Sequence, residues 1–248
     1  MGGNLRRVSR MASARRKRAT RGLALTALAA ALTAAAGASA RGAAPPARPP
    51  LAADAAVVQG ELAGIPQQGL MLGSSTAPVT VVEYTDLVCL PCASAATSIL
   101  APLIGDYVRQ GTVRLVLAPI TQSQRSSLYA YGTYAAGLQG QAWDFALLAY
   151  ARSTARGDGP TDQPAALARA LALNVRRWRA SLFRPRWAKS VSATAAVIAV
   201  GDFTSFPVFT VRGLPDAKGH VAVKIIRPPV TLPALTAAIA GAQASPGH

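Results

Sequence analysis

Two cysteines three positions apart, Cys89 and Cys92, constrain this sequence more than any other feature. Residues 78–85 before them are rich in β-branched side chains and predict a buried strand. Residues from 92 onward carry apolar side chains at helical spacing and predict a helix. The pair is therefore predicted to lie where a strand delivers the chain into a helix. The 248 residues contain no other cysteine, which excludes a small scaffold held together by several disulfides.

The position of the pair favours thiol chemistry. Sulfurs one helical turn apart at a helix N-terminus can bond to each other, and the helix dipole with its unpaired N–H groups stabilises a thiolate on the first sulfur. A thiolate is the attacking species in thiol–disulfide exchange. We expect Cys89 to be partly exposed and Cys92 to be shielded by its own helix. Cys89 is then the attacking thiol, and Cys92 is the thiol that resolves a mixed disulfide.

Most of the positive charge lies at the N-terminus. The chain carries 26 basic and 10 acidic residues, a net charge of +16, and 10 of the basic residues lie within residues 1–50, which contain no acidic residue. A basic region, an Ala/Leu run and small residues at 38–40 follow one another over residues 1–40, as in an export signal; an uncleaved signal anchor is the alternative. A Pro/Ala-rich tether is predicted over 41–60 and the folded domain over 61–248. An exported chain keeps its cysteines in an oxidising compartment.

Three other interpretations of the cysteine pair stay open. A structural disulfide would close so short a loop that it constrains the unfolded chain little. A zinc site needs about four ligands, and His220 and His248 are the only histidines. An inert reduced pair is unexpected in an exported chain. The sequence favours redox chemistry, with no metal and no cofactor.

The order of elements predicts an α/β fold with one sheet. The helix after the cysteines, with a kink or break at Pro102, leads to a strand over 113–120. Residues 122–200 are alanine-rich and helical in period, with a break at 157–160. Strands over 207–213 and 220–226 are predicted to pair, and a last helix opens at residues 231–233.

Several motifs together resemble a known family. The run GIPQQGLMLGSSTAPVTVVEYTDLVCLPC, followed by AAGLQGQAW and FPVFTVRG, is similar to the DsbA-like, BdbD-type family of exported thiol–disulfide oxidoreductases over about residues 64–240. The resemblance implies a thioredoxin fold with an inserted helical subdomain at about 122–200. It implies exported cysteine-containing proteins as substrates and a membrane partner that reoxidises the redox pair.

The resemblance also assigns roles to single residues. The redox pair of the family falls on Cys89 and Cys92, and its cis-proline, which shapes the substrate groove, falls on Pro207. Its buried proton-relaying acid falls on Glu83, for which a solvent-facing strand position is the alternative; burial would raise the pKa of this carboxyl. Asp86 matches a position that is often acidic in the family, and a loop-capping role is equally consistent with its place.

This sequence departs from the family at three predicted substrate-contacting positions. Leu90 and Pro91 stand between the cysteines where Pro-Phe or Pro-His is commonest, and a proline before the second cysteine is typical of reducing thioredoxins. Phe206 precedes the cis-proline position, where Thr or Val is usual, and its ring would narrow the groove or form an apolar platform for substrate. These differences leave the direction of electron flow open.

A basic patch follows in residues 176–189. Its members are Arg176, Arg177, Trp178, Arg179, Phe183, Arg184, Arg186, Trp187 and Lys189. Basic and aromatic residues interleaved in this way suit nucleic acid or an anionic surface, while a solvated helix face with its aromatic rings packed inward is the simpler interpretation. Because an exported chain meets little nucleic acid, we expect none as partner and keep an anionic cell-envelope surface as the alternative.

The leading hypothesis is an extracytoplasmic oxidoreductase that passes a disulfide to exported proteins. The same chemistry in reverse, as a reductase or isomerase, is the closest alternative. A non-catalytic binding protein that uses the groove or the basic patch is the alternative from another class.

Overall fold

Two parallel strands form the centre of the sheet. The computed structural model describes residues 49–153 and 159–244, and the central strands are β3 (Val79–Thr85) and β4 (Val113–Pro119). Their residues are mostly buried, as expected of valine-rich strands covered on both faces. Both strands were predicted, and both are confirmed. They end at the same edge of the sheet, where Thr85 pairs with Pro119.

One helical run connects these two strands. Its segments are α2 (Leu90–Ala95), a π-helical turn (Ala96–Leu100), α3 (Ala101–Leu103) and a second π-helical turn (Ile104–Val108). The helix begins at Leu90, two residues before the predicted start. The helical run continues through Pro102, so the predicted break does not occur, and the alternative of a kink stays a prediction; the proline lies in the first turn of α3, directly after a π-helical turn, where its missing N–H is tolerated.

Four further strands complete the sheet. They are β1 (Gln67–Gln68), β2 (Met71–Leu72), β5 (Val208–Arg212) and β6 (Val223–Ile226). The order across the sheet is β1-β2-β4-β3-β5-β6, and every neighbouring pair except β3 and β4 is antiparallel. The pairing of β5 with β6 was predicted and is confirmed, whereas the short β1–β2 hairpin was not predicted.

A block of helices stands between β4 and β5 in the chain. The helices are α4 (Gln124–Gly137), α5 (Ala142–Ala151), α6 (Pro164–Ala170), α7 (Val175–Ser181) and α8 (Pro185–Val200). Trp143, Phe145 and Trp178 are buried within it. The Trp143 indole donates a hydrogen bond to the Leu70 carbonyl at 2.9 Å, which fastens the block to the β1–β2 hairpin. This insertion into a thioredoxin-like sheet is the fold that the sequence predicted.

The N-terminal part of the described chain is helical rather than extended. Helix α1 (Leu51–Leu62) occupies most of the segment predicted as a tether, so that prediction is wrong for residues 51–60. The prolines end at Pro50, and the sequence after them places Ala55, Val58 and Leu62 on one buried face. The export signal predicted at 1–40 and the first residues of the tether lie outside the described residues.

Helix α9 (Leu232–Ala244) confirms the last predicted helix, and it packs on β5. None of the helices in residues 49–153 and 159–244 combines the length and apolar character of a membrane span.

Candidate functional site

The loop after β3 places Cys89 at the N-terminus of α2. The Asp86 carboxylate accepts a hydrogen bond from the Val88 N–H at 2.9 Å, and the Asp86 carbonyl accepts one from the Cys89 N–H at 3.1 Å. Cys89 is the N-cap residue, and its Sγ accepts a hydrogen bond from the Cys92 N–H at 3.3 Å. Asp86 therefore has the loop-capping contact that was one of its two predicted roles.

The two thiols are free and have opposite environments. Cys89 is half-buried, whereas the side chain of Cys92 is completely buried. A hydrogen bond from the Cys92 thiol lowers the pKa of Cys89, and the Cys92 backbone N–H acts in the same direction, against burial and the Asp86 charge. The same hydrogen bond, together with burial, raises the pKa of Cys92 well above its usual range. These environments favour ionisation at Cys89 over Cys92, and the attacking role of Cys89 stays a prediction.

The loop before β5 lies against the first cysteine. The peptide bond between Phe206 and Pro207 is cis, as the resemblance predicted. The Phe206 carbonyl oxygen is 4.0 Å from Cys89 Sγ. A chain that approaches Cys89 therefore meets the backbone of this loop, and the half-buried Leu90 and the exposed Pro91 follow Cys89 at the start of α2.

The ring of Phe206 does not form an open platform. It is only 8% exposed, because it packs into the hydrophobic core. It lines a cavity of about 230 Å³ together with Ile120, Ile198 and other residues of α8. The ring therefore does not offer an open apolar platform, one of its two predicted roles, while a narrowing of the groove stays a prediction; the carbonyl oxygen of Phe206 is the group near the redox pair.

Glu83 is buried behind the cysteines. It is 1% exposed, which excludes the solvent-facing alternative, and neither carboxyl oxygen has a hydrogen-bond partner among the residues that the structure describes. Burial raises the pKa of Glu83 from 4.5 to about 8; the Thr85 hydroxyl nearby lowers it in part, and the charge of Cys89 raises it further. A carboxyl with such a pKa can hold or release a proton near neutral pH.

Thr85 and Tyr150 belong to the same buried cluster, and neither was predicted from the sequence. Their hydroxyl oxygens are 2.6 Å apart, and both residues are buried. Thr85 follows Glu83 by two positions and so faces the same side of β3; this spacing was available in the sequence. Tyr150 comes from α5, and no sequence signal connects it with the cysteines.

The basic patch lies apart from this cluster, on α7, α8 and the turn between them. Its arginines and Lys189 are exposed, and no acidic residue in the described ranges forms an ion pair with them. Trp178 is packed inward and donates to the Gly132 carbonyl at 2.9 Å, which agrees with the simpler interpretation. Phe183 does not, because 60% of its surface is exposed.

Comparisons with known proteins agree with this architecture. The family model described as thioredoxin matches residues 66–214. A thioredoxin-like oxidoreductase from Silicibacter pomeroyi DSS-3 has 20% identity and a TM-score of 0.56, and the match covers 71% of this chain and 92% of that chain. BdbD from Bacillus subtilis in its oxidised form has 18% identity and a TM-score of 0.55, with 71% and 96% covered.

Alpha-DsbA1 from Wolbachia pipientis is also similar, with 16% identity, a TM-score of 0.56 and 71% and 91% of the two chains covered. No curated protein is significantly similar in sequence. At these identities the structural matches establish the fold, and the family model covers the segment that contains both cysteines and the cis-proline.

Proposed function

The chain belongs to the thioredoxin family and has a DsbA-like fold, and from this premise we propose that it is an extracytoplasmic thiol–disulfide oxidoreductase that donates the Cys89–Cys92 disulfide to exported proteins. One observation carries the proposal: the half-buried Cys89 sulfur accepts the Cys92 N–H at a helix N-terminus, with Cys92 completely buried behind it. A structural pair needs no such difference between its two thiols. An exchange catalyst needs one accessible and one protected sulfur.

The reaction proceeds in two exchanges. A substrate thiolate attacks the Sγ of Cys89 in the disulfide; a bond forms between substrate sulfur and Cys89, and the Cys89–Cys92 bond breaks. Cys92 leaves with the electron pair and takes up a proton. A second substrate thiolate then attacks the first substrate sulfur, which releases Cys89 as a thiolate. The substrate is oxidised by two electrons, and the pair is reduced to the dithiol.

The stability of the Cys89 thiolate influences how strongly the disulfide oxidises a substrate. Contacts that lower the pKa of Cys89 stabilise the reduced pair and make the disulfide more oxidising. Both hydrogen bonds from Cys92 act in this way, whereas burial and the Asp86 charge oppose them. Disulfide donors and reducing thioredoxins both have a first cysteine with a lowered pKa, so the proposal of disulfide donation rests on the family resemblance, and the redox potential of the pair separates it from the reductase alternative, which is based on Pro91 before the second cysteine.

Substrate binding is proposed at the surface around Cys89. Leu90 and the exposed Pro91 follow Cys89 at the start of α2, and the Phe206 carbonyl oxygen, next to the buried Pro207, is 4.0 Å from its sulfur. The cavity of about 230 Å³ beside Phe206 is lined mostly by apolar side chains, which suits an apolar side chain of an unfolded substrate.

The extracytoplasmic location and the recycling partner are proposals from the sequence. Residues 1–40 have the three regions of an export signal, and the reduced pair requires an oxidant, which we propose is a membrane protein. Fractionation of cells that produce the full chain and a variant lacking residues 1–40 tests the location. Retention of the full chain in the cytoplasm would contradict it.

The basic patch is proposed to contact an anionic membrane surface. Exposed arginines without acidic partners attract anionic headgroups, and the exposed ring of Phe183 lies among them. Sedimentation with phosphatidylglycerol vesicles is expected to exceed that with phosphatidylcholine vesicles, and Arg184→Glu/Arg186→Glu should abolish the difference. Lys218→Glu/Lys224→Glu, the same charge change outside the patch, should not. Equal effects of the two variants, or preferred binding to nucleic acid, would overturn this proposal.

A trapping experiment tests the enzymatic proposal. The Cys92→Ser variant should form a stable mixed disulfide with an unfolded peptide that carries a reactive disulfide, because nothing remains to resolve it. The Cys89→Ser variant should trap little, because Cys92 is buried. The oxidised wild-type protein should convert a reduced peptide with two cysteines to its disulfide. Equal trapping by the two variants would contradict the proposed roles.

A further inference from the structure

A cavity of about 630 Å³ lies on the face of the sheet opposite to Glu83. Side chains alternate along a strand, so Val82 and Tyr84 of β3 face this cavity while Glu83 faces the other side of the sheet. The strands contribute to its lining Val82, Tyr84, Thr210, Arg212, Val223 and Ile225. The end of α8 and the turn after it form the opposite wall. The redox reaction proposed above gives this cavity no part.

The walls of the cavity leave apolar side chains exposed. No residue of α8 is buried, and Val200 at the end of this helix is 91% exposed. Val223 of the outermost strand β6 is 54% exposed. Contiguous exposed apolar surface of this kind marks a binding site, and the volume lies within the range of roughly 300–1,000 Å³ that small-molecule sites have.

Arg212 brings a positive charge to this apolar space. Within residues 49–153 and 159–244, no carboxylate forms an ion pair with it. Burial raises the pKa of the Tyr84 hydroxyl, and Thr210 and the charge of Arg212 lower it in part, so the three polar groups belong to one side of the cavity. A guanidinium in such a place can hold a carboxylate through two parallel hydrogen bonds.

The other charged groups at the rim are less available to a ligand. Arg227 donates a hydrogen bond to the Gly201 carbonyl at 2.9 Å, and its guanidinium lies over the ring of Phe203 at 5.4 Å from the ring centre. Asp202 lies in the same turn and is exposed, and it forms no ion pair with Arg212 or Arg227 in the part of the chain that the structure describes. The rim therefore favours an anion.

We propose that this cavity binds a single-chain amphiphile with an anionic head, of the class of long-chain carboxylates. The apolar chain lies between the sheet and α8, and the carboxylate pairs with Arg212 beside Tyr84 and Thr210. A second copy of the chain is a poorer occupant, because a two-fold interface would bring the same arginines of both copies together.

Binding of two matched probes tests the proposal on the wild-type protein. Equilibrium dialysis of the reduced full chain with radiolabelled dodecanoate, below the concentration at which it forms micelles, should show one saturable site. Dodecanol has the same chain without the charge and should bind about 10- to 100-fold more weakly, because it cannot form the charge-assisted hydrogen bonds. Equal affinities for the two probes, or uptake that does not saturate, would overturn the proposal.

Three variants locate the site. Arg212→Met removes the charge and should weaken dodecanoate binding by about 10- to 100-fold while leaving dodecanol binding unchanged. Val197→Trp fills the cavity from α8 and should weaken the binding of both probes. Arg169→Met removes an exposed arginine of α6 and is the matched control, which should change neither. Unchanged dodecanoate binding in Arg212→Met, or equal weakening in Arg169→Met, contradicts the assignment.

The basic patch is a second place where an anion could bind. Dodecanoate binding that persists in Arg184→Glu/Arg186→Glu supports the cavity, whereas its loss in that variant would place the amphiphile at the patch and overturn the proposal. The measurement involves no thiol exchange. Failure of the protein to oxidise a peptide would therefore contradict the proposed function and leave this result unaffected.

Discussion

Replacement of Glu83 by glutamine is expected to stabilise the protein, by an amount that grows with pH. The pKa of Glu83 is raised from 4.5 to about 8, mainly by burial. A carboxyl whose pKa is higher in the folded protein than in the unfolded chain lowers the stability above the unfolded value. The cost begins near pH 4.5, grows as the pH rises toward 8, and is constant at higher pH.

The size of the effect follows from the same two values. One unit of pKa corresponds to about 1.4 kcal/mol. The cost of keeping Glu83 buried is then about 1 kcal/mol at pH 5, about 3 kcal/mol at pH 7 and about 4 kcal/mol at pH 8. Glutamine has nearly the shape of the protonated acid but does not ionise. Glu83→Gln should therefore change the free energy of unfolding little at pH 5 and raise it by about 3–4 kcal/mol at pH 8.

Urea denaturation of the reduced wild-type and variant proteins at pH 5, 7 and 8 measures this difference. Glu61→Gln is the matched control, because Glu61 is exposed and its replacement should have no comparable effect. The comparison between variants cancels the titration of groups that both proteins share. A Glu83→Gln difference that is the same at pH 5 and pH 8 would refute the argument that Glu83 is a buried, pKa-shifted acid.

Two further predictions concern the scaffold. Gly137→Ala should destabilise the protein by about 1–3 kcal/mol, because the added Cβ would lie 2.6 Å from a backbone carbonyl oxygen. Gly60→Ala in α1 should stabilise the protein by about 0.5–1 kcal/mol, because its Cβ would meet no atom within 4 Å. Thermal denaturation compares the two variants. Arg152→Met should cost about 3–5 kcal/mol, because the largely buried guanidinium bonds Asp54 and Asp162, each at 2.7 Å; equal stability in urea would show that these ion pairs are unimportant.

The sequence was sufficient for the fold wherever the pattern was local. Local apolar patterns predicted the valine-rich β3 and β4, the β5–β6 pair and the helical block, because burial and periodicity depend on consecutive residues. Helix α1 was missed because the prolines before Leu51 dominated the composition of that segment. The β1–β2 hairpin was missed because strands of two residues carry no periodicity and depend on pairing with β4.

The candidate site was predictable only in part, for a related reason. Cys89 and Cys92 lie three positions apart at the start of one helix, so their spacing predicts their geometry, while Glu83 and Pro207 became recognisable through the family resemblance. The burial of the Phe206 ring depends on the packing of α8, and the position of Tyr150 depends on how α5 docks behind β3. Residue spacing does not predict contacts between elements that lie far apart in the chain.

The most direct test of the central claim is the redox equilibrium of the Cys89–Cys92 pair in glutathione buffers of known potential. Samples are quenched, free thiols are alkylated, and the oxidised fraction is read by mass. A disulfide donor should show a single two-electron transition at a potential less negative than about −200 mV. A transition near the value of about −270 mV that is typical of thioredoxin, or the absence of any disulfide, would contradict the proposed disulfide donation.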